Sequence, residues 1–268
     1  MQVQPVRTRP VRPGEHLLAL LDAHLPPLAD GDVLAVTSKI VALCQDRVAR
    51  DDGAEAKRAM IRLEAEYYLT DDHLDRLGVT LTVAGGVLIP NAGIDESNGA
   101  GTLVRWPSDM FGAAREVWHH LRGRHRLDRL GIVITDSHTT PLRWGVTGIG
   151  LAWCGFEPLR DYVGRPDVFG RPMRLTKANL LDALAASAVL VMGEGAEQTP
   201  LAIIRDLPGL AFQTRPPTEA ERQAIRIAPR DDLYGPLLRA VTWQTGGASS
   251  APTSATAQPG EPRLATGY

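Results

Sequence analysis

Polar side chains follow a short apolar run near the middle of the chain, where the letters GIVITDSHTTPLRWG cover Gly131–Gly145. The β-branched residues Ile132–Ile134 predict a buried strand that stops at Asp136. Ligands collect where strands end, because the backbone leaves the sheet there and short polar side chains project into a crevice. Asp136, Ser137 and His138 are therefore candidate binding residues, and the alternative is that Asp136 only caps a turn.

Three more segments place polar side chains beside a predicted strand. The apolar run Val33–Val36 is followed directly by Thr37–Lys39. The segment Asn91–Asn98, NAGIDESN, follows a predicted hairpin, and a solvated loop or a helix cap is the alternative interpretation. Glycines and acidic residues in Met192–Pro200 precede the predicted strand Leu201–Ile204. Glycines at such a position allow backbone amide groups to approach a phosphate.

The rest of the chain supplies the elements that must position these loops. Apolar periodicity and turn residues predict helices over Glu15–Leu25, Ala54–Tyr68, Asp109–Arg126, Thr176–Val191, Thr218–Ile225 and Arg230–Val241. Further strands are predicted over Val79–Val83 and Val87–Ile89, joined at Gly85-Gly86, and over Val146–Trp153. The irregular segment Gly155–Pro172 carries aromatic and arginine side chains and indicates a functional loop or an interface.

Composition narrows the classes of function. The 268 residues carry 29 basic and 31 acidic side chains, a net charge of -2, which gives no field that would attract nucleic acid or an anionic membrane. No apolar run approaches the roughly 20 residues that span a bilayer, and no signal-peptide segment is evident. Cys44 and Cys154 are too few for a disulfide framework and are interpreted as buried thiols. We therefore expect a cytoplasmic protein with small-molecule partners.

Five segments in the same order resemble the coenzyme F-420-0:L-glutamate ligase family of γ-glutamyl ligases. The resemblance runs from about Pro10 to about Arg205. Its segments are GDVLAVTSKIV (Gly31–Val41), NAGIDESN (Asn91–Asn98), GIVITDS (Gly131–Ser137), GFEPLRDYVGRPDVFGRPMRLT (Gly155–Thr176) and VMGEGAEQTP (Val191–Pro200).

The resemblance implies a GTP-dependent and divalent-metal-dependent amide ligase that joins a carboxylic acid to an amino acid, with L-glutamate as the expected amine. It also implies an α+β fold peculiar to the family, with mixed sheets, flanking helices and an intertwined homodimer. We expect one ligase domain over residues 1–243. The small-residue segment 244–268 cannot bury enough apolar surface to stay ordered and is predicted to be a disordered tail.

Carried over residue by residue, the resemblance implies a single site for Mg²⁺ or Mn²⁺ and GTP. The expected metal ligands are Asp95, Asp136, Ser137 and Glu194, and the expected catalytic residues are Asp136 and Arg143. The expected nucleotide contacts are Ser38, Lys39, Asn98, Met192, Gly193, Gly195, Gln198 and Thr199, with Arg9–Arg12 as a further match. This set agrees with the residue types, because hard cations prefer carboxylate and hydroxyl oxygens.

The sequence departs from the family pattern at two cationic positions. Leu43 replaces a nucleotide-contacting lysine, and Thr139 and Thr140 replace a glycine-arginine pair. Neutral side chains cannot replace charge-assisted contacts to phosphates or carboxylates. The departures predict that the activated acid is less anionic than F-420-0, or that it is held by one of three other arginines, Arg143, Arg160 or Arg165.

Two other functional classes remain open at the level of sequence. A metal-dependent nucleotide phosphohydrolase would use the same aspartates to activate water. A non-catalytic nucleotide-binding protein derived from a ligase would bind GTP without turnover, and Leu43 and Thr140 are the features that favour it.

Overall fold

A computed structural model describes residues 1–97 and 101–249. The strands in these ranges are β1 (Gln2–Val6), β2 (Asp32–Thr37), β3 (Val48–Arg50), β4 (Tyr67–Tyr68), β5 (Leu81–Ala84), β6 (Val87–Pro90), β7 (Thr102–Val104), β8 (Leu130–Thr139), β9 (Val146–Cys154), β10 (Leu159–Asp161), β11 (Lys177–Asn179), β12 (Leu201–Arg205) and β13 (Gln244–Thr245). The helices are α1 (Leu17–His24), α2 (Ser38–Cys44), α3 (Ala54–Glu64), α4 (Asp72–Leu77), α5 (Met110–His125), α6 (Leu180–Met192), α7 (Glu219–Ala224) and α8 (Gly235–Leu238), with a 3₁₀ turn at Asn91–Gly93. The α+β class predicted from the sequence is confirmed.

A five-stranded sheet in the order β1-β12-β2-β8-β9 forms the centre of the fold. Strands β2 and β8 are parallel, with Val36 opposite Ile134, so both end at the same edge. Strand β12 runs antiparallel to β2, and β1 runs antiparallel to β12. The start of β12 and the end of β1 therefore lie at that same edge, which brings four chain segments together there.

Helices cover both faces of the central sheet. Leu34 and Val36 of β2 pack in a core with α1, α2 and α5, whereas Val33 and Ala35 pack against α6. A strand buried on both faces is expected to be continuously apolar, which is the pattern that the sequence shows there. Helix α6 lies directly on β9. This close approach requires glycine at position 148, because a Cβ atom there would stand only 2.4 Å from the carbonyl oxygen of Ala185.

A second, four-stranded antiparallel sheet has the order β13-β4-β5-β6 and packs with α3 around its own apolar core. Strands β3 and β7 form a separate pair beside it. The core under this region contains Ile61, Ile89 and Trp106. The connection from β6 to β7 carries Asp95, and the residues after β7 carry Trp106, so this smaller unit delivers both residues toward the central sheet.

Several predicted elements are confirmed with shifts at their ends. The hairpin at Gly85-Gly86 pairs Ala84 with Val87. Helix α5 begins after Asp109, whose carboxylate accepts a hydrogen bond from the Gly112 amide at 2.7 Å. The prediction that a strand stops at Asp136 was wrong. Strand β8 continues to Thr139 because β9 supplies hydrogen-bond partners along its polar half, with a register shift between Ile134 and Thr135.

Other boundaries also differ from the sequence prediction. The predicted helix Ala54–Tyr68 ends at Glu64, because Tyr67 and Tyr68 pair with β5. The predicted helix Thr176–Val191 begins only at Leu180, because the preceding residues of β11 pair with β10.

Near the two ends of the chain, the structure also differs from the sequence prediction. The predicted helix Arg230–Val241 contains one helical turn at Gly235–Leu238, and the opening strand β1 was not predicted. Strand β13 lies inside the range predicted to be disordered, where it pairs with β4, and residues 250–268 of that range lie outside the described residues. Within the described ranges, no helix has both the length and the hydropathy that a membrane span requires.

Candidate functional site

The shared edge of the central sheet opens into a cavity of about 540 Å³. Its lining comes from the segments that the topology brings to this edge, which are Thr8–Val11, Thr37–Lys39, Thr135–Ser137 and Met192–Pro200. Main-chain hydrogen bonds join these segments, with the Thr37 amide donating to the Pro200 carbonyl at 3.0 Å and the Thr8 amide donating to the Gln198 carbonyl at 2.9 Å. The opposite wall comes from the smaller unit and includes Gly93, Asp95, Ser97 and Trp106.

Asp95 and Lys39 form an ion pair across this cavity. The Lys39 ammonium lies 2.5 Å from Asp95 Oδ2 and donates hydrogen bonds to the carbonyl and hydroxyl oxygens of Ser97, both at 3.1 Å. Pairing with Val104 holds the Asp95 backbone in place, with N···O distances of 2.9 Å and 2.8 Å. Burial alone would raise the pKa of Asp95, but Lys39 and the hydrogen bonds from Ser97 outweigh burial and keep this pKa below its ordinary value.

The carboxylate of Asp136 is half-buried on β8 beside this ion pair. Its Oδ2 accepts a hydrogen bond from the indole N–H of Trp106, and its Oδ1 accepts one from the Ser137 amide at 2.9 Å. Burial raises the pKa of Asp136 to about 6, although both hydrogen bonds act in the opposite direction, and the negative charge of Asp95 raises it further. Asp95 and Asp136 are therefore close enough to repel each other when both are charged.

Glu194 approaches from the other side of the cavity and contacts Ser137. The Ser137 hydroxyl lies 2.7 Å and 2.9 Å from the two carboxylate oxygens of Glu194. Helix α6 ends just before this loop, and Gly193, with a φ of 77°, donates its amide to the Val189 carbonyl at 3.0 Å. The left-handed backbone at this position favours glycine and lets the chain turn back toward β12.

Most of the predicted site residues share this cavity. The lining contains Ser38, Lys39, Asp95, Asp136, Ser137, Met192, Gly193, Glu194, Gly195, Gln198 and Thr199. Leu43 also lines it, so the position of the replaced lysine faces the site. Asn98 lies outside the described residues.

Arg143 is not brought to this cavity. It is exposed in the turn between β8 and β9, because the two strands continue as a hairpin beyond Asp136 and carry the turn away from the sheet edge. Thr140 lies in the same turn. The position of Arg143 therefore gives no support to a catalytic role within this chain.

The donor chemistry of the cavity fits a hard divalent cation. Asp95, Asp136 and Glu194 offer carboxylate oxygens and Ser137 offers a hydroxyl, which are the ligand types that Mg²⁺ and Mn²⁺ prefer. Asp95 already forms an ion pair with the ammonium group of Lys39. Across residues 1–97 and 101–249, no three His, Cys, Asp or Glu side chains are spaced to hold a metal ion as they stand. Ser137 and Glu194 are in direct contact, and Asp95 and Asp136 line the same cavity.

Trp106 and Thr135 are cavity residues that sequence reasoning missed. Trp106 follows a short strand, and the sequence around it contains no signal for a contact with Asp136. Thr135 is fully buried, and its hydroxyl has no hydrogen-bond partner among the described residues. The cysteines take no part, because neither lines the cavity and burial raises the pKa of Cys44 to about 11 and that of Cys154 to about 12.

Comparisons with known proteins agree with the motifs. The family model described as F420-0:Gamma-glutamyl ligase matches residues 5–206. The chain is 33% identical over 249 residues to the coenzyme F420:L-glutamate ligase of Methanopyrus kandleri. The matched region covers 87% of this chain and 97% of that protein. The chain is 31% identical over 224 residues to the protein of the same name from Archaeoglobus fulgidus, covering 77% of this chain and 88% of that protein. The chain therefore belongs to the F420-0:gamma-glutamyl ligase family, as its five motifs predicted.

Proposed function

We propose that this chain is a GTP-dependent and divalent-cation-dependent ligase that joins L-glutamate to a carboxylic acid through an amide bond. The observation that carries the proposal is the single cavity lined by Lys39, Asp95, Asp136, Ser137 and Glu194. The relatives' names supply glutamate as the amine and the F420 series as the first acids to test.

The cation would be held by Asp95, Asp136, Ser137 and Glu194, whose oxygens fit Mg²⁺ or Mn²⁺. When bound, a divalent cation offsets the negative charge that develops on the phosphates during phosphoryl transfer. Lys39 would bring a further positive charge to the phosphates from the start of α2. Glycines 193 and 195 allow the loop before β12 to approach the nucleotide closely.

The proposed reaction has two steps. The carboxylate of the acid attacks the γ-phosphate of GTP, the bond from that phosphorus to the bridging oxygen of GDP breaks, and an acyl phosphate forms. The glutamate amine then attacks the carbonyl carbon, phosphate leaves, and the nitrogen loses a proton. The role of the protein is to align the reactants and to limit access of water, which would otherwise hydrolyse the acyl phosphate.

We propose further that the chain acts as a homodimer. Large apolar side chains are almost fully exposed at two places, the β8–β9 turn with Leu142 and Trp144, at 103% and 105%, and the loop with Val168 and Phe169, at 93% and 88%. Exposed apolar patches mark protein interfaces, and these two places are where we expect the partner subunit to pack. Sedimentation should show a dimer, and Trp144→Ser should weaken it. A monomer at all concentrations would contradict this part of the proposal.

The deciding experiment incubates the purified protein with GTP, Mn²⁺, glutamate and F420-0, and then with less anionic acids, and reads product masses and phosphate release. A ligase releases phosphate only when both the acid and the amine are present, and the product gains the mass of glutamate less water. Phosphate release from GTP when the acid and the amine are both left out would instead identify a phosphohydrolase. GTP binding without turnover of any acid would identify a non-catalytic nucleotide-binding protein.

A further inference from the structure

Trp106 joins the two parts of the fold at the candidate site. Its side chain is buried, with 8% of the residue exposed, and its indole N–H donates a hydrogen bond to Asp136 Oδ2. The Ser137 amide binds the other oxygen of the same carboxylate. Both oxygens of Asp136 are thus held by donors that come from opposite walls of the cavity.

The indole is itself firmly held. The Nε of Arg47 donates to the Trp106 carbonyl at 3.0 Å, and the Nη2 of Arg47 lies 2.6 Å from Glu64. Arg105, the preceding residue, donates to the same Glu64 carboxylate at 3.1 Å. The indole ring lies against Gly93, where a Cβ atom would stand only 2.1 Å from ring atoms of Trp106. The backbone and the ring of Trp106 are therefore both fixed within the smaller unit.

We propose that Trp106 is a positioning residue whose indole N–H orients the Asp136 carboxylate and thereby strengthens divalent-cation binding at the cavity. A carboxylate that rotates freely must lose that freedom when it binds a cation, whereas one fixed by two donors has already lost it. Each oxygen accepts one of these hydrogen bonds and keeps a second lone pair for the cavity. Hydrogen-bond partners that orient metal ligands typically change metal affinity by about 10-fold to 100-fold when they are removed. The inference rests on the proposed function, because it takes Asp136 as a cation ligand.

A purely structural role is the competing explanation. In that case the indole only satisfies a half-buried carboxylate, and its loss lowers thermal stability without a specific effect on cation binding. Cation affinity measured on folded protein separates the two roles, because only the positioning role predicts a change in that affinity.

The first test is Trp106→Phe, which keeps an aromatic ring and removes the donor. The matched control is Trp243→Phe, which also removes an indole hydrogen bond, in that case to the Leu238 carbonyl at 2.7 Å, away from the cavity. Free Mn²⁺ is counted by electron paramagnetic resonance in the presence of GDP. We expect Trp106→Phe to weaken Mn²⁺ binding by about 10-fold to 100-fold, and Trp243→Phe to leave it within about twofold of the unmodified protein.

A kinetic readout accompanies the binding measurement. The Mn²⁺ concentration that gives half-maximal ligation should rise by about 10-fold to 100-fold in Trp106→Phe, a larger change than in kcat at saturating Mn²⁺. A lower kcat at saturating Mn²⁺ with an unchanged Mn²⁺ requirement would count against the positioning role.

Two further variants keep the inference falsifiable. Site-specific incorporation of 3-benzothienylalanine at Trp106 replaces the N–H by sulfur and keeps the ring shape, and it should weaken Mn²⁺ binding as Trp106→Phe does. Asp136→Asn tests the underlying site. If Asp136→Asn loses Mn²⁺ affinity while both Trp106 variants keep it, the inference is overturned and the proposed function stands. If Asp136→Asn itself binds Mn²⁺ normally, the proposed cation site is wrong and the inference falls with it.

Discussion

Glu64→Gln should destabilise the folded protein measurably, because Glu64 is the shared partner of two guanidinium groups. Its carboxylate lies 2.6 Å from Arg47 and 3.1 Å from Arg105, and all three side chains are only 21–24% exposed. Glutamine retains one acceptor oxygen for one arginine but turns an amide group toward the other. One partly buried guanidinium group therefore loses its acceptor, and both lose their counter-charge.

The size of the effect follows from the number of bonds and their burial. A hydrogen bond to a charged group contributes about 1.5–3 kcal/mol, and leaving a buried charge without a partner adds to the loss. Partial exposure screens these charges, so we expect the free energy of unfolding to fall by about 2 kcal/mol in total. With a urea dependence of about 2–3 kcal/mol per molar, the midpoint of unfolding should fall by about 0.7–1 M.

Equilibrium unfolding in urea measures this loss, and Glu55→Gln provides the matched control. Glu55 lies on the same helix and pairs with Arg58 at 3.2 Å, but its side chain is 77% exposed. We expect Glu55→Gln to cost no more than about 0.5 kcal/mol. Equal, small losses in the two variants would refute the reasoning, because they would show that the Glu64 cluster contributes no more than a surface ion pair.

Three further predictions concern the site and one helix. Burial raises the pKa of Asp136 from its ordinary 3.8 to about 6, so the folded protein holds this proton more tightly than the unfolded chain does. The free energy of unfolding should therefore fall as the pH rises from 3.8 to about 6. Urea unfolding of Asp136→Asn at pH 4 and pH 7 should lack this contribution, and an unchanged pH dependence would contradict it. Leu43→Lys should lower the KM for GTP and increase the turnover of F420-0, and steady-state kinetics that match the unmodified protein would count against a charge role at this position. Thr218→Ala removes a capping box with Glu221 and should lower the free energy of unfolding by about 1 kcal/mol, with the melting temperature as the readout.

Strong local patterns made much of the fold predictable. The apolar run Val33–Val36 could be assigned because a strand covered on both faces needs no alternation. The hairpin at Gly85-Gly86 could be assigned because its turn residues favour positive φ, and both glycines adopt it. The strand β1 was missed because its partner, β12, lies far away in sequence. The end of β8 was misjudged because pairing with β9 overrides the polar character of its last residues.

In the candidate site, too, local patterns predict some features, whereas others depend on contacts between distant parts of the chain. Its loops were predictable because polar residues directly follow or precede apolar runs. The family resemblance then indicated which residues of these loops to expect in the site. Trp106 was not predictable, because its contact with Asp136 depends on how two sheets meet rather than on any local pattern. Arg143 lies away from the cavity although it is close to Asp136 along the chain, because the hairpin of β8 and β9 continues beyond Asp136.

The strand order of the central sheet also determines when the cavity can form during synthesis. β2 lies between β12 and β8, and β1 pairs with β12, which leaves the ribosome long after both β1 and β2. Until residues near Arg205 emerge, one edge of β2 and all of β1 lack their sheet partners, and the loop Met192–Pro200 cannot close the cavity. Long-range pairing of this kind slows folding and leaves unpaired strand edges exposed. A nascent chain arrested before β12 should therefore lack the closed cavity, although Asp95, Asp136 and Glu194 have all been synthesised by then.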